Sequence, residues 1–180
     1  MFHSEADFQH ALARPFTESA HIDLIATQEG VSVAIELKYK TRDFTSTIGT
    51  EIFRLKGQSA QDTGRYDFLK DISRVENVVS GNPRWVGIAL LLTNDSSYWK
   101  LPNKADSVDA AFRLHEGRKL SGILAWSPAA SRGTKKARES SLIIQGTYTA
   151  TWEDYSTLSV GGYSTFRYLF VEVIAKDQAA

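Results

Sequence analysis

The chain has no cysteine among its 180 residues, which excludes disulfides and any metal site built on thiolates. No apolar run approaches the ~18 residues a membrane-spanning helix needs, and the N-terminal stretch lacks the basic-then-apolar order of a secretory signal. These absences lead us to expect a cytoplasmic protein with no membrane partner. Net charge is also missing: 21 Lys and Arg balance 21 Asp and Glu, which argues against a general nucleic-acid coat. The balance still permits a local basic groove beside an acidic site. His3, His10, His21 and His115 are scattered without zinc spacing. There is no Gly-rich phosphate loop of the usual kind, which counts against an enzyme of small phosphorylated molecules. No internal repeat or low-complexity linker divides the chain, so one domain over residues 1–180 is expected, large enough for a proper core.

What is present is concentrated in residues 21–40, where an apolar, strand-like sequence carries Asp23, Glu36 and Lys38 around a turn at Glu29-Gly30. From Val31 to Tyr39 the chain alternates: Val31, Val33, Ile35, Leu37 and Tyr39 form an expected core face, opposite Ser32, Ala34, Glu36, Lys38 and Lys40. Glu36 and Lys38 therefore stand side by side, roughly 7 Å apart. A two-residue turn at Glu29-Gly30 pairs Gln28 with Val31, which sets Asp23 opposite Glu36 and His21 opposite Lys38. A slip by one residue would move Asp23 to the other face.

Facing carboxylates destabilise a sheet by some tenths of a kcal/mol to ~1 kcal/mol. A hard cation between them removes that cost, and Mg²⁺ takes one or two carboxylates with waters and phosphate oxygens. Lys38 beside such an ion would orient or deprotonate a water, or neutralise developing charge. Ser4 reads as a helix N-cap with Glu5 and Asp7 in the first turn, the helix running to Ala13 and stopping before Pro15. Glu5 shares a stripe with Phe8 and Leu12, which makes it a candidate third acid.

An acid on an N-terminal helix, an Asp on the next strand and Glu-x-Lys on the following one resemble the PD-(D/E)XK nuclease superfamily. The matching residues are Glu5, Asp23 and Ile35-Glu36-Leu37-Lys38-Tyr39-Lys40; His21-Ile22 stand where that family usually has a proline before the Asp. The resemblance implies an α/β restriction-endonuclease-like sandwich, with a central mixed β-sheet flanked by helices and a β-rich C-terminal part. It also implies Mg²⁺ (or Mn²⁺) on Asp23, Glu36 and Glu5, catalytic help from Lys38, and cleavage of DNA phosphodiester bonds in restriction, defence or repair. RNA remains open as substrate, as does a homodimer or larger assembly. The alternative is a catalytically inactive nucleic-acid- or protein-binding module of the same fold.

Gln58, Gln61 and Tyr66 are candidate substrate contacts after the lysine strand, and Arg132, Lys135, Lys136 and Arg138 form a basic loop suited to phosphates. Residues 42–50 read as a polar connection, and Glu51–Lys56 as the start of a helical segment punctuated by Gly57 and Gly64. Phe68, Leu69, Ile72, Val75 and Val79 give a helical period over 65–79, closed near Gly81. The opposite face holds Asp67, Lys70, Asp71, Arg74 and Glu76, with Asp71 and Arg74 read as a structural ion pair. Trp85–Thr93 reads as a strand buried on both faces, followed by Asn94 and Asp95 at its ligand-facing end. A short helix is expected in 106–115 and strands in 122–126, 142–152 and 166–174, with Trp99, Trp126, Trp152 and Tyr155 as packing aromatics rather than base-stacking ones.

Overall fold

The computed structural model describes residues 22–158 and 161–175. The helix expected from Ser4, with Glu5, and the position of His21 lie outside the described residues. The first hairpin joins β1 (Leu24–Gln28) to β2 (Val31–Lys40). Its turn has Glu29 at φ 52° and Gly30 at φ 80°. Two consecutive positive φ values make the primed turn whose twist matches flanking strands. The ladder runs from Gln28↔Val31 to Leu24↔Ile35, the register implied by the alternation.

Residues 42–56 differ from expectation. They form a second hairpin, β3 (Phe44–Ile48) and β4 (Glu51–Leu55), instead of a connection and a helix start. Phe44 pairs with Leu55 and Ser46 with Phe53, so the apolar residues at the hairpin base share one face. A run this short is ambiguous in period, and packing decides it.

The helix α1 (Gln61–Val79) follows, then β5 (Trp85–Thr93), which returns parallel to β2. Gly64 lies within the first turns of α1 and does not interrupt it, whereas Gly81, at φ 73°, closes the helix as expected. The remaining strands are β6 (Lys119–Leu124), β7 (Leu142–Thr149), β8 (Trp152–Thr157) and β9 (Thr165–Ile174), and 106–115 contains only a 3₁₀ turn at Ala110–Phe112. The main sheet has the order β1-β2-β5-β9-β8, mixed because β2 and β5 are parallel and the other pairs antiparallel. The chain is thus α/β and mostly strand. Rather than several helices flanking the sheet, α1 is the α-helix among the described residues.

Layering explains the burial. One face of α1 packs on β2, β5 and β9, and another meets β7 of the separate β6–β7 pair. The helix therefore lies between two sheets, burying Phe68, Leu69, Ile72 and Val75 in the larger core. The reverse face of the main sheet has a smaller core of Leu37, Tyr39, Leu55, Leu92 and Phe166, covered by the β3–β4 hairpin. The alternation of β2 thus picks out the smaller core. Its charged face is the one beneath α1.

Candidate active site

Pairing with β5 sets Glu36 beside Ala89 and Lys38 beside Leu91, on the face covered by α1. Two charged side chains there need partners from the helix, and Asp71 and Arg74 provide them. Arg74 Nη1 donates to Glu36 Oε1 at 2.5 Å, Lys38 Nζ lies 3.2 Å from Asp71 Oδ2, and Asp71 Oδ1 is 3.5 Å from Arg74 Nη1. The ion pair expected between Asp71 and Arg74 exists, but it is turned inward and cross-linked to β2. Spacing within the helix could not reveal this, because burial of that face depends on where the sheet lies.

The ladder ends at Leu24↔Ile35, and Asp23, the next residue back, lies near enough to Glu36 for its charge to act on it. Its Oδ2 accepts the Leu37 N–H at 2.8 Å, so an exposed carboxylate closes the free edge of β2 beside the buried one. Burial, above all, pushes the Glu36 carboxyl up to about 7. The Arg74 hydrogen bond opposes the rise, while the Asp71 and Asp23 carboxylates add to it. Burial likewise raises Asp71 to about 6, against the pull of Lys38 and Arg74. Both acids hold protons more tightly than free carboxylates although two cations touch them. Burial outweighs those pairings, and three carboxylates (Asp23, Glu36 and Asp71) meet two cations (Lys38 and Arg74), which leaves the cluster short of one positive charge.

That shortage, with a donor set of hard carboxylate oxygens, fits a divalent cation such as Mg²⁺, which needs only one or two carboxylates besides water and substrate. The acids are not drawn into a finished cage: among the described residues no group of three or more His, Cys, Asp or Glu side chains is placed to hold an ion.

The other candidates separate. Gln61 Nε2 donates to Asp95 Oδ2 at 2.9 Å, at the carboxyl end of the parallel strands, and Gln58 is exposed in the preceding loop. Tyr66 is a core residue: its ring stacks on Trp126 at 5.9 Å and meets Phe112 edge-on, and its hydroxyl donates to the Ser140 carbonyl. Burial removes it as a substrate contact. Trp126 and Trp152 are buried packing residues, while Tyr155 is exposed. In the basic loop Arg132 and Lys136 are exposed and Lys135 is half-buried. Arg138 is engaged by Asp67 through Nε at 2.6 Å and Nη2 at 2.7 Å, so it anchors the loop to α1.

Asn94 and Asp95 are buried and hydrogen-bonded, at the edge of the open depressions at this end of the sheet. Asn94 Oδ1 accepts the Arg42 N–H at 2.7 Å and its Nδ2 donates to the Tyr163 carbonyl at 2.8 Å. Asp95 accepts from Gln61 and from the Ser97 backbone. No family model, no curated protein and no solved structure matches this chain.

Proposed function

We propose that this protein is a Mg²⁺- or Mn²⁺-dependent phosphodiesterase acting on DNA, built on a restriction-endonuclease-like sandwich. The observation that carries the proposal is the cluster at the β1–β2 register: Asp23 and Glu36 adjacent, Lys38 on the same face, and raised proton affinity at Glu36. Asp23 and Glu36 would hold the cation, with Glu5 a further acid from outside the described residues. A bound divalent ion supplies Lewis acidity and a more acidic water. The chain contributes the Lys38 ammonium, oriented by Asp71 at 3.2 Å, beside the position where phosphoryl charge develops. Arg132, Lys135 and Lys136 offer further phosphate contacts.

Cleavage of plasmid DNA in Mg²⁺ tests the assignment. Glu36→Ala and Lys38→Ala should each slow it by about 100-fold or more; unchanged rates would overturn it. A second reading, a catalytically inactive binding module of the same fold, is favoured by one observation: the Arg74 guanidinium already holds Glu36 at 2.5 Å. Calorimetric titration with Mn²⁺ separates the two, because heat that disappears in Asp23→Ala and Glu36→Ala belongs to the enzyme and its absence in the wild type to the module.

A further inference from the structure

The carboxyl ends of β2 and β5 open into a groove of about 670 Å³, lined by Arg42, Gln61, Lys100, Lys104 and Tyr163 among others. A second depression of about 390 Å³ shares Ser96, Lys100 and Tyr163 with it and continues past Trp99. The position is the one where open α/β sheets gather ligands, because loops diverge there.

The groove is cationic in a specific sense. Arg113 and Arg167, on its walls, are matched by Asp109 and Asp154. Arg42, Lys100 and Lys104 have no carboxylate within ion-pair distance among the described residues. The acid of the groove, Asp95, is buried and occupied by Gln61 and the Ser97 N–H. Arg42 is hydrogen-bonded to Tyr163 and feels Asp95 and Asp43, so the positive charge most open to a ligand is that of the exposed Lys100 and Lys104.

An aromatic ring is held beside that charge. Tyr163 is 42% exposed and adopts φ 64°, a left-handed conformation rare for a residue with a side chain. Asn94, buried at the end of β5, grips the Tyr163 carbonyl and the Arg42 backbone together. The Arg42 guanidinium lies 5.0 Å from the Tyr163 ring centroid and donates to its hydroxyl. A backbone clamped in a disfavoured conformation so that a ring stays exposed is a common mark of a ligand clamp.

We propose that this groove binds a single-stranded nucleic-acid segment, with phosphates on Arg42, Lys100 and Lys104 and an unpaired base stacked on Tyr163. Unmatched cations along a cleft with an exposed ring are the combination that tracks a single strand, since paired bases in a duplex cannot reach the ring. Arg42 follows Lys38 by four residues, two past the end of β2 and at most on the order of 13 Å away, so the nucleic-acid strand would leave the groove toward the Asp23–Glu36–Lys38 cluster. The choice of polymer rests on the phosphodiesterase reading; the binding does not need the metal.

Anisotropy of a fluorescein-labelled oligothymidylate of about 12 nucleotides, in EDTA, is the test. The wild type should bind, and Lys100→Ala/Lys104→Ala should weaken it by about 10-fold while reducing the salt slope by about 1.4. Tyr163→Ala should weaken it by about 10-fold at little change in salt slope, with Tyr163→Trp restoring affinity. These side chains are exposed, so unchanged thermal unfolding checks the variants. No binding by the wild type, or wild-type affinity in both variants, would overturn the proposal, and equal affinity for a duplex of the same length would overturn the single-strand assignment. Glu36→Ala should bind as the wild type does; if it also still cleaves, the phosphodiesterase reading fails and the groove stands.

Discussion

At Glu36 a strand carries a carboxylate to a place where 2% of its surface meets solvent, and a pH signature follows. The folded chain holds this proton more tightly than the unfolded one, its pKa lying near 7 against 4.5. The corresponding stability is complete below about pH 4.5 and is lost as pH rises through about 7. Asp71, raised to about 6 from 3.8, adds a loss over the lower part of that window. Glu36→Gln should flatten the decline and exceed the wild type at about pH 8 by on the order of 1–3 kcal/mol, read by urea denaturation across pH. A metal bound through Glu36 would have to displace the same proton. Mg²⁺ at about 100 times its Kd should therefore stabilise the protein by about 2.7 kcal/mol above pH 7 and by much less near pH 5; equal shifts in melting temperature at both pH values would count against Glu36 as a ligand.

Among the elements, α1 has to approach the sheet closely enough for Arg74 and Asp71 to reach β2, and Gly87 on β5 permits this. A Cβ there would lie 2.9 Å from Val75 Cβ on α1 and 3.2 Å from Val173 Cβ on β9. Those contacts are with branched, buried side chains that have little room to give, so Gly87→Ala should destabilise by about 1–3 kcal/mol, seen as a lower urea midpoint at unchanged slope. The β1–β2 hairpin was legible because its turn residues, its alternation and its register are local and mutually consistent. The β3–β4 hairpin was not. Its apolar residues are few, and what selects strand over helix is contact of Phe44 and Leu55 with the core around Leu37 and Phe166, which lies far along the chain.

On the scale of the whole molecule, α1 has two working faces. Toward the main sheet it contributes Asp71 and Arg74; toward β7 it contributes Glu76, whose carboxylate accepts the Gln145 and Gly146 N–H groups and the Tyr148 hydroxyl at 2.7–2.9 Å. Those donors line an open depression at the end of α1, where water can replace part of what the acceptor supplies. Glu76→Ala should cost about 1–2 kcal/mol in urea denaturation, with Glu76→Gln recovering part of it because its amide oxygen still accepts. Both sheets would remain, but their grip on the helix would weaken.

The sequence by itself determined the register of the 24–35 hairpin, and with it the nearness of Asp23 to the strand that carries Glu36 and Lys38, because period and turn chemistry act over a few residues. It also determined the buried strand 85–93 and the helix over 65–79, whose apolar patterns run long enough to be unambiguous. Only the tertiary structure decided what the charged face of β2 would meet. The Asp71–Arg74 pair was legible as a structural ion pair, but that it faces β2 follows from where the sheets lie against α1, and no pattern within the helix's own residues records that. The cationic groove was hidden for the same reason: Arg42, Lys100, Lys104 and Tyr163 come from three separated loops, and only the closing of the sheet brings them together.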